Sequence, residues 1–330
     1  MKKLHDTKPK FYNLFTPKTK INFKEFISLQ KEFIFGKQQR VPKKNLPLIK
    51  LNNESFKESC KQGLRLTWLG HSSVLVEIEG YIILTDPIFS KKVSPFPIFS
   101  PIRFHKEFPI SPEDLPKIDL VIISHDHYDH LDYKTIKSIQ KNVSHFYVPI
   151  GLAKYLKTWG VSANKITEFN WWEEVNLDKN LKIISTPSQH FSGRGLINRN
   201  TTLWSSWVII ADNHRLYFSG DTGYFPELKT IGDKYGPFDI TMIEMAQYSK
   251  YWPYVHMIPE QSLQAHQDLK GKVLLPIHWG TFSLSIHEWT EPIERLIKEA
   301  NKLNLLVATP KVGESIIGGE NITTTFWWRD

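Results

Sequence analysis

From residue 64 onward, short apolar runs recur with turn residues between them. Leu64 to Leu69 and Ser73 to Glu79 are two such runs; Glu79-Gly80 reads as a tight turn, and Tyr81 to Thr85 follows it. Short runs bounded by Gly, Pro, Asn or Asp predict strands. The same pattern predicts strands over 119–123, 145–148, 181–186, 203–211, 215–219, 239–244, 272–277 and 304–308. Apolar residues at helical spacing predict helices over 132–141, 150–159, 224–234, 259–270 and 288–303. Strands come first as hairpins and then alternate with helices. That order predicts two mixed sheets packed face to face with helices outside, an α/β fold of αββα type. We read one catalytic domain over 60–330, preceded by an extension over 1–59.

The extension has a different texture. It is rich in Lys, Phe and Pro, and Phe23, Phe26, Ile27, Phe33 and Ile34 recur at near-helical spacing with Lys24, Lys31 and Lys37 between them. Such a helix either docks its aromatic face on the body or meets a membrane surface. Charge separates the two parts. Residues 1–50 hold 13 Lys/Arg against 3 Asp/Glu, whereas residues 51–330 hold 29 against 31. The overall charge of +8 therefore belongs to the extension. A basic segment with aromatics points to an anionic membrane surface through residues 1–50. The near-neutral body is poorly suited to gather a polyanion, which argues against nucleic acid.

Hydrophobic residues make up 41% of 330, enough for a sizeable core. No apolar run approaches the roughly 20 residues that span a bilayer. The start, Met1-Lys2-Lys3-Leu4, leads into no apolar segment of a secretory signal. Cys60 is the only cysteine, so no intrachain disulfide can form. A cytoplasmic protein, peripheral on the membrane through its extension, fits these features.

The run His125-Asp126-His127-Tyr128-Asp129-His130 carries the chemistry. It follows the apolar stretch Asp119 to Ile123 and precedes a helix that Asp132 can cap. Alternate side chains of an extended segment point the same way, so His125 and His127 can meet one cation. Asp129 and His130 follow as the chain turns and can address a second. Nitrogen and oxygen donors of these types suit zinc. A polar turn would explain Asp132 but not three histidines. Three further candidates also close apolar strands: His190, Asp221 and His278.

With these residues in place the sequence resembles the metallo-β-lactamase superfamily, and more closely the N-acyl-phosphatidylethanolamine-hydrolysing phospholipase D family. The resemblance covers about residues 60–320. It rests on Thr67-Trp68-Leu69-Gly70-His71, Leu84 to Ser90, the His125–Asp132 run, Trp171-Trp172-Glu173-Glu174 and Thr186 to His190. Ser219 to Tyr224, Gly236-Pro237-Phe238-Asp239 and Ile277 to Phe282 complete it. It implies the metallo-β-lactamase fold and two zinc ions, with His125, His127 and His190 on the first and Asp129, His130 and His278 on the second. Asp221 would bridge them, and such a pair shares a water and lowers its pKa to about 7. Asp221 and His256 are thus the implied catalytic residues, with His256 contacting substrate or donating a proton. Tyr128 is either a substrate contact or a packing residue, and His71 and Asp86 are implied as buried polar support.

The resemblance implies a phospholipid or other phosphodiester as substrate, cleaved on the headgroup side of phosphorus, and it admits a homodimer. A lactonase or other small-molecule hydrolase is the alternative. His127 stands where iron redox members carry Glu, which favours zinc. Cys60 lies upstream of the fold and Asp221 holds the bridging position, which argues against β-lactam hydrolysis. Two stretches depart from the family pattern, Glu244-Met245-Ala246-Gln247-Tyr248 in place of Pro-Ile-Gly-Ala-Tyr, and Phe191 to Gly195. Both adjoin implied ligands, where specificity would be set. The apolar loop Val93 to Ile102 and the aromatic loop Tyr248 to Met257 could shape a groove for acyl chains, or simply pack. Trp171-Trp172 and Phe326-Trp327-Trp328 read as packing residues.

Overall fold

The computed structural model describes residues 10–15, 22–56, 63–94, 100–177, 180–195, 197–318, 322 and 324–329. Cys60 and residues 95–99 of the apolar loop lie outside these. The first sheet contains β1 (Leu64–Gly70), β2 (Ser73–Ile78), β3 (Tyr81–Thr85), β4 (Ile118–Ile122), β5 (Val143–Pro149) and β6 (Ile166–Phe169). The second contains β7 (Glu174–Asn176), β8 (Lys182–Thr186), β9 (Ser206–Ile210), β10 (Arg215–Phe218), β11 (Phe238–Glu244), β12 (Gly271–Ile277) and β13 (Leu306–Val307). The last strand, β14 (Ser315–Ile317), returns to pair with β1 at the edge of the first sheet. Each sheet is half antiparallel and half parallel, in the orders β14-β1-β2-β3-β4-β5-β6 and β13-β12-β11-β10-β9-β8-β7. The antiparallel halves are the hairpins, and the parallel halves arise where helices intervene between strands.

Both sheets are covered on both faces, which is why the strands read as near-continuous apolar runs. In β4, Leu120 and Ile122 face the second sheet, while Val121 joins Ile123 in the outer core. That outer core is closed by α2 (Tyr133–Ile139) and α3 (Ala153–Thr158) through Ile136, Ile139, Leu152 and Leu156. The other face of the sandwich is closed by α4 (Glu227–Tyr235), α5 (Pro259–Asp268) and α6 (Glu291–Leu303). They bury Leu228 and Ile231, Leu263, and Ile293 and Leu296 in the main core. The four layers are helix, sheet, sheet, helix, the expected αββα sandwich. Asp132 caps α2, as its position after the histidine run predicts.

Three strands escape the pattern reading. β6, β7 and β14 are short, half-exposed edge strands whose sequences mix apolar and charged residues. The predicted strand over 203–211 shrinks to Ser206–Ile210, because the Leu203 and Ser205 backbone N–H groups donate to the carbonyls of Ile150 and Ser124.

The helix predicted in the extension forms as α1 (Phe23–Phe35), with Asn22 and Glu25 making a reciprocal cap. Of the two alternatives for this helix, docking through the aromatic face does not occur. None of its residues is buried, and Phe23, Phe26 and Phe35 are 76%, 50% and 77% exposed. Its ties to the body are polar instead. Glu32 meets Lys250 at 2.5 Å and accepts a hydrogen bond from the Tyr251 hydroxyl at 2.8 Å. Those contacts hold the helix by its charged side and leave the aromatic side outward. No helix among the described residues is long and apolar enough to cross a membrane.

Candidate metal centre

The ends of five strands meet at one rim of the sandwich. β4 leads into His125, His127, Asp129 and His130, and β8 into His190. β10 leads into Asp221, β11 ends on Glu244, and β12 leads into His278. Sharp turns at the strand ends aim these side chains inward. His71, Asp86 and His278 take left-handed backbone, with φ of 56°, 33° and 64°. Such conformations are costly for residues with a Cβ and persist where the surroundings over-determine them. Gly220, also left-handed, lets the Asp221 turn lie against Ser124; a Cβ there would meet the Ser124 Cβ at 2.4 Å.

Two clusters of ligand-capable atoms result. In the first, His125 Nε2 lies 2.8 Å and His190 Nε2 lies 3.3 Å from His127 Nδ1. Asp221 Oδ2 stands 3.7 Å from both Nε2 atoms. In the second, Asp129 Oδ2 is 3.4 Å from His130 Nε2, 3.3 Å from His278 Nε2 and 3.0 Å from His71 Nε2. Asp221 joins this group too. Its Oδ2 is 3.1 Å from His130 Nε2, and its Oδ1 is 3.2 Å from His278 Nε2. All seven residues implied as ligands are therefore brought together, in the two sets of the expectation, with Asp221 between them. His71 enters the second cluster as well, closer to Asp129 than a merely supporting role requires.

In His190 and His125 the outer ring nitrogen is fixed by the surroundings, which leaves the inward one free as a lone pair. His190 Nδ1 lies 2.9 Å from the Val255 carbonyl and His125 Nδ1 2.9 Å from Ser124 Oγ. His130 Nδ1 is 2.6 Å from Asp86 Oδ2, and Asp86 is itself held by the Ser124 backbone N–H and hydroxyl at 2.7 and 2.5 Å. Asp86 thus orients His130, the support that its motif position implies.

Burial pulls the His125, His127 and His190 imidazoles below their usual range, so they stand neutral at pH 7. Burial would raise Asp129 and Asp221, but the surrounding histidines, His130 foremost, hold both carboxyls well below the ordinary carboxylate value. His130 is the counterpart. Against the pull of burial, Asp221, Asp129 and Asp86 lift its imidazole well above the usual histidine value. Three carboxylates around one imidazole, Asp86 and Asp221 buried and Asp129 partly so, make a pocket in want of positive charge. His130 Nε2 and Asp221 Oδ1 are buried without a well-formed hydrogen bond among the described residues, although both point into the second cluster. Converging neutral nitrogens, ionised carboxylates and unpartnered inward atoms are the donor set that divalent cations take.

His256 sits beside both clusters. Its ring stacks on His278 at 5.2 Å and meets His190 edge-on at 5.1 Å. It also groups with Asp221 and His278 in reach of one point. Its Nδ1 lies 3.5 Å from Glu244 Oε2. Tyr128 is placed differently from the ligands. Its hydroxyl donates to the Arg194 carbonyl at 3.0 Å, its ring lies under the Arg194 guanidinium at 3.8 Å, and it packs toward Ile88, Val93 and Phe282. It borders the site rather than pointing at its centre.

Several functional neighbours carry no sequence signal. Asn13, in the extension, accepts from the His190 backbone N–H at 3.1 Å and donates to the His190 carbonyl at 2.9 Å, and the Trp204 indole donates to it at 3.0 Å. An isolated asparagine 177 residues from the ligand it holds is invisible to motif reading. Arg194 donates to the carbonyls of Asp126 and Leu131, clamping the loop between them.

Comparison with known proteins gives consistent results. Residues 81–279 match the model of the beta-lactamase superfamily domain. An uncharacterised protein of Mycobacterium tuberculosis is 42% identical over 270 residues, covering 81% of this chain and 72% of its own length. N-acyl-phosphatidylethanolamine-hydrolysing phospholipase D 1 of Caenorhabditis elegans is 38% identical over 271 residues, covering 78% of this chain and 75% of that one. Among solved structures, a metallo hydrolase of the archaeon Ignicoccus hospitalis shares the fold with a TM-score of 0.58 at 24% identity, over 79% of this chain and all of that one.

Proposed function

This chain belongs to the metallo-β-lactamase superfamily, among the relatives of N-acyl-phosphatidylethanolamine-hydrolysing phospholipase D, and is a metal-dependent hydrolase; from that premise we propose that it is a di-zinc phosphodiesterase of phospholipase D type. The observation that carries the two-metal reading is Asp221. Its carboxylate lies between the two histidine clusters, with Oδ2 3.7 Å from His125 and His190 of the first and 3.1 Å from His130 of the second, and Oδ1 3.2 Å from His278 of the second. Two zinc ions held there would lower the pKa of a shared water and neutralise charge on a phosphoryl oxygen.

The protein's own residues supply the rest. His125, His127, His190, Asp129, His130 and His278 would hold the ions, and the Asp221 carboxylate lies between the two sets. Glu244 faces His256 Nδ1, which leaves His256 Nε2 to carry a proton toward the leaving alkoxide. The attack of water oxygen on phosphorus breaks the bond to the headgroup oxygen, giving phosphatidic acid and an alcohol such as an N-acylethanolamine. The identity to the Caenorhabditis elegans enzyme supports the phospholipid as substrate. A lipid substrate also gives the outward aromatic face of α1 a use, and we place that face on the membrane surface.

A substrate panel tests the reading. N-acyl-phosphatidylethanolamine in vesicles should be cleaved, with loss of turnover on chelation and recovery on adding zinc. Lactone hydrolysis without any diester cleavage would replace this reading with that of a small-molecule hydrolase.

A further inference from the structure

Glu244 opens the stretch in which this chain departs from the family's Pro-Ile-Gly-Ala-Tyr pattern. It ends β11 and is fully buried. Its backbone is already satisfied, since its N–H donates to Ser219 Oγ at 3.0 Å and its carbonyl accepts from Ser262 Oγ at 2.8 Å. The carboxylate is therefore free for another task. Oε1 accepts from the Met257 backbone N–H at 2.8 Å, next to His256 in the chain. Among the described residues Oε2 has no hydrogen-bond partner, and it lies 3.5 Å from His256 Nδ1 and 4.0 Å from His278 Nδ1. Both of these ring nitrogens are themselves buried without a hydrogen-bond partner among the described residues.

A buried carboxylate without Lys or Arg beside it is costly, and a packed apolar side chain would serve a strand end better. The geometry supplies the reason for keeping it. His278 turns Nε2 to Asp129 and Asp221, so its proton belongs on Nδ1, which faces Glu244. His256 presents Nδ1 to the same oxygen. We propose that Glu244 is a positioning residue that orients His278 and His256 together through their Nδ1 atoms, tying the second ligand cluster to the proton-donating histidine. The proposal rests on the reading of His278 as a metal ligand. Carboxylates behind ligating histidines fix the ring and its tautomer, and their loss typically weakens metal binding or activity about 10–100-fold.

Glu244→Gln is the informative variant. It is nearly isosteric, but an amide offers one acceptor oxygen where three N–H groups converge. Whichever way it turns, an NH2 faces either the Met257 N–H or the two imidazole N–H groups. Glu244→Asp keeps the charge and withdraws the oxygens by one methylene. Zinc is titrated into the metal-free full-length chain against a chromophoric chelator, and kcat and KM are measured on the soluble diester bis(p-nitrophenyl) phosphate. We expect the wild type to take up two equivalents. Glu244→Gln should keep one at wild-type affinity and hold the other about 10–100-fold more weakly. Its kcat at saturating zinc should fall while KM stays, with Glu244→Asp between the two. Wild-type affinity for both equivalents together with unchanged kcat in Glu244→Gln would overturn the proposal. If that variant does not fold, Glu244→Asp decides by the same criteria. A wild-type chain that binds fewer than two equivalents overturns the two-metal reading itself, and that result is seen before any variant is made.

Discussion

Asp221 concentrates the electrostatics of the centre, because both clusters lean on its two oxygens. Asp221→Asn keeps the size and one acceptor but removes the negative charge between the clusters. We expect zinc uptake to fall below two equivalents and diester cleavage to drop by more than about 100-fold; unchanged turnover would remove Asp221 from the machinery. His130 sets the pH dependence. Without metal its imidazole is held well above the ordinary histidine value by Asp221, Asp129 and Asp86, against burial, which favours the protonated ring. Ligation needs a bare Nε2, so binding must expel a proton, and affinity should rise with pH through the neutral range and fall toward acid. Calorimetry in buffers of different ionisation enthalpy checks this, with net proton release expected and none contradicting it. At this scale the sequence announced the ligands themselves, since each is a His or Asp closing an apolar run. It was silent on Asn13 and Ser124, whose roles depend on contacts made across the fold by residue types that are common everywhere. Glu244 drew notice only as a departure from a pattern; its meaning came from the two ring nitrogens it faces.

At the scale of elements, the buried strands were legible because both of their faces pack, and their ends mark the site. Edge strands β6, β7 and β14 were not, because half-exposed positions accept charged residues and blur the period. α1 was legible as a helix from its spacing, but its orientation was not. That is decided by Glu32 meeting Lys250 and Tyr251, in the loop that leads to His256. The outward Phe23, Phe26, Ile34 and Phe35, with lysines around them, suit an anionic interface. Phe26→Ser with Phe35→Ser should lower binding to phosphatidylserine-containing vesicles in a sedimentation assay. Because both side chains are exposed, each change should alter folding stability by no more than about 0.5 kcal/mol. Undiminished vesicle binding would place the membrane contact elsewhere.

The whole molecule is a sandwich clamped at one end by tryptophans. Trp327, 2% exposed, packs on Trp68 of the first sheet at 6.1 Å and on Trp279, the residue after His278, at 5.1 Å. The chain's last turn thus spans both sheets behind the metal centre. Trp327→Ala should destabilise the fold by about 3–5 kcal/mol in denaturant unfolding. A much smaller loss would mean that the clamp is dispensable. The fold and the two-cluster centre follow from local pattern plus strand-end placement, whereas the stretches at 191–195 and 244–248 beside the centre depart from the family pattern. The most direct test of the central claim is therefore the fate of water oxygen. The zinc-loaded enzyme is given N-acyl-phosphatidylethanolamine in 18O-labelled water and the products are weighed by mass spectrometry. We predict one label in the phosphate of phosphatidic acid and none in the released N-acylethanolamine. Label in a carboxylic acid, from cleavage of an acyl ester, or in the N-acylethanolamine would contradict attack at phosphorus and with it the phospholipase D reading.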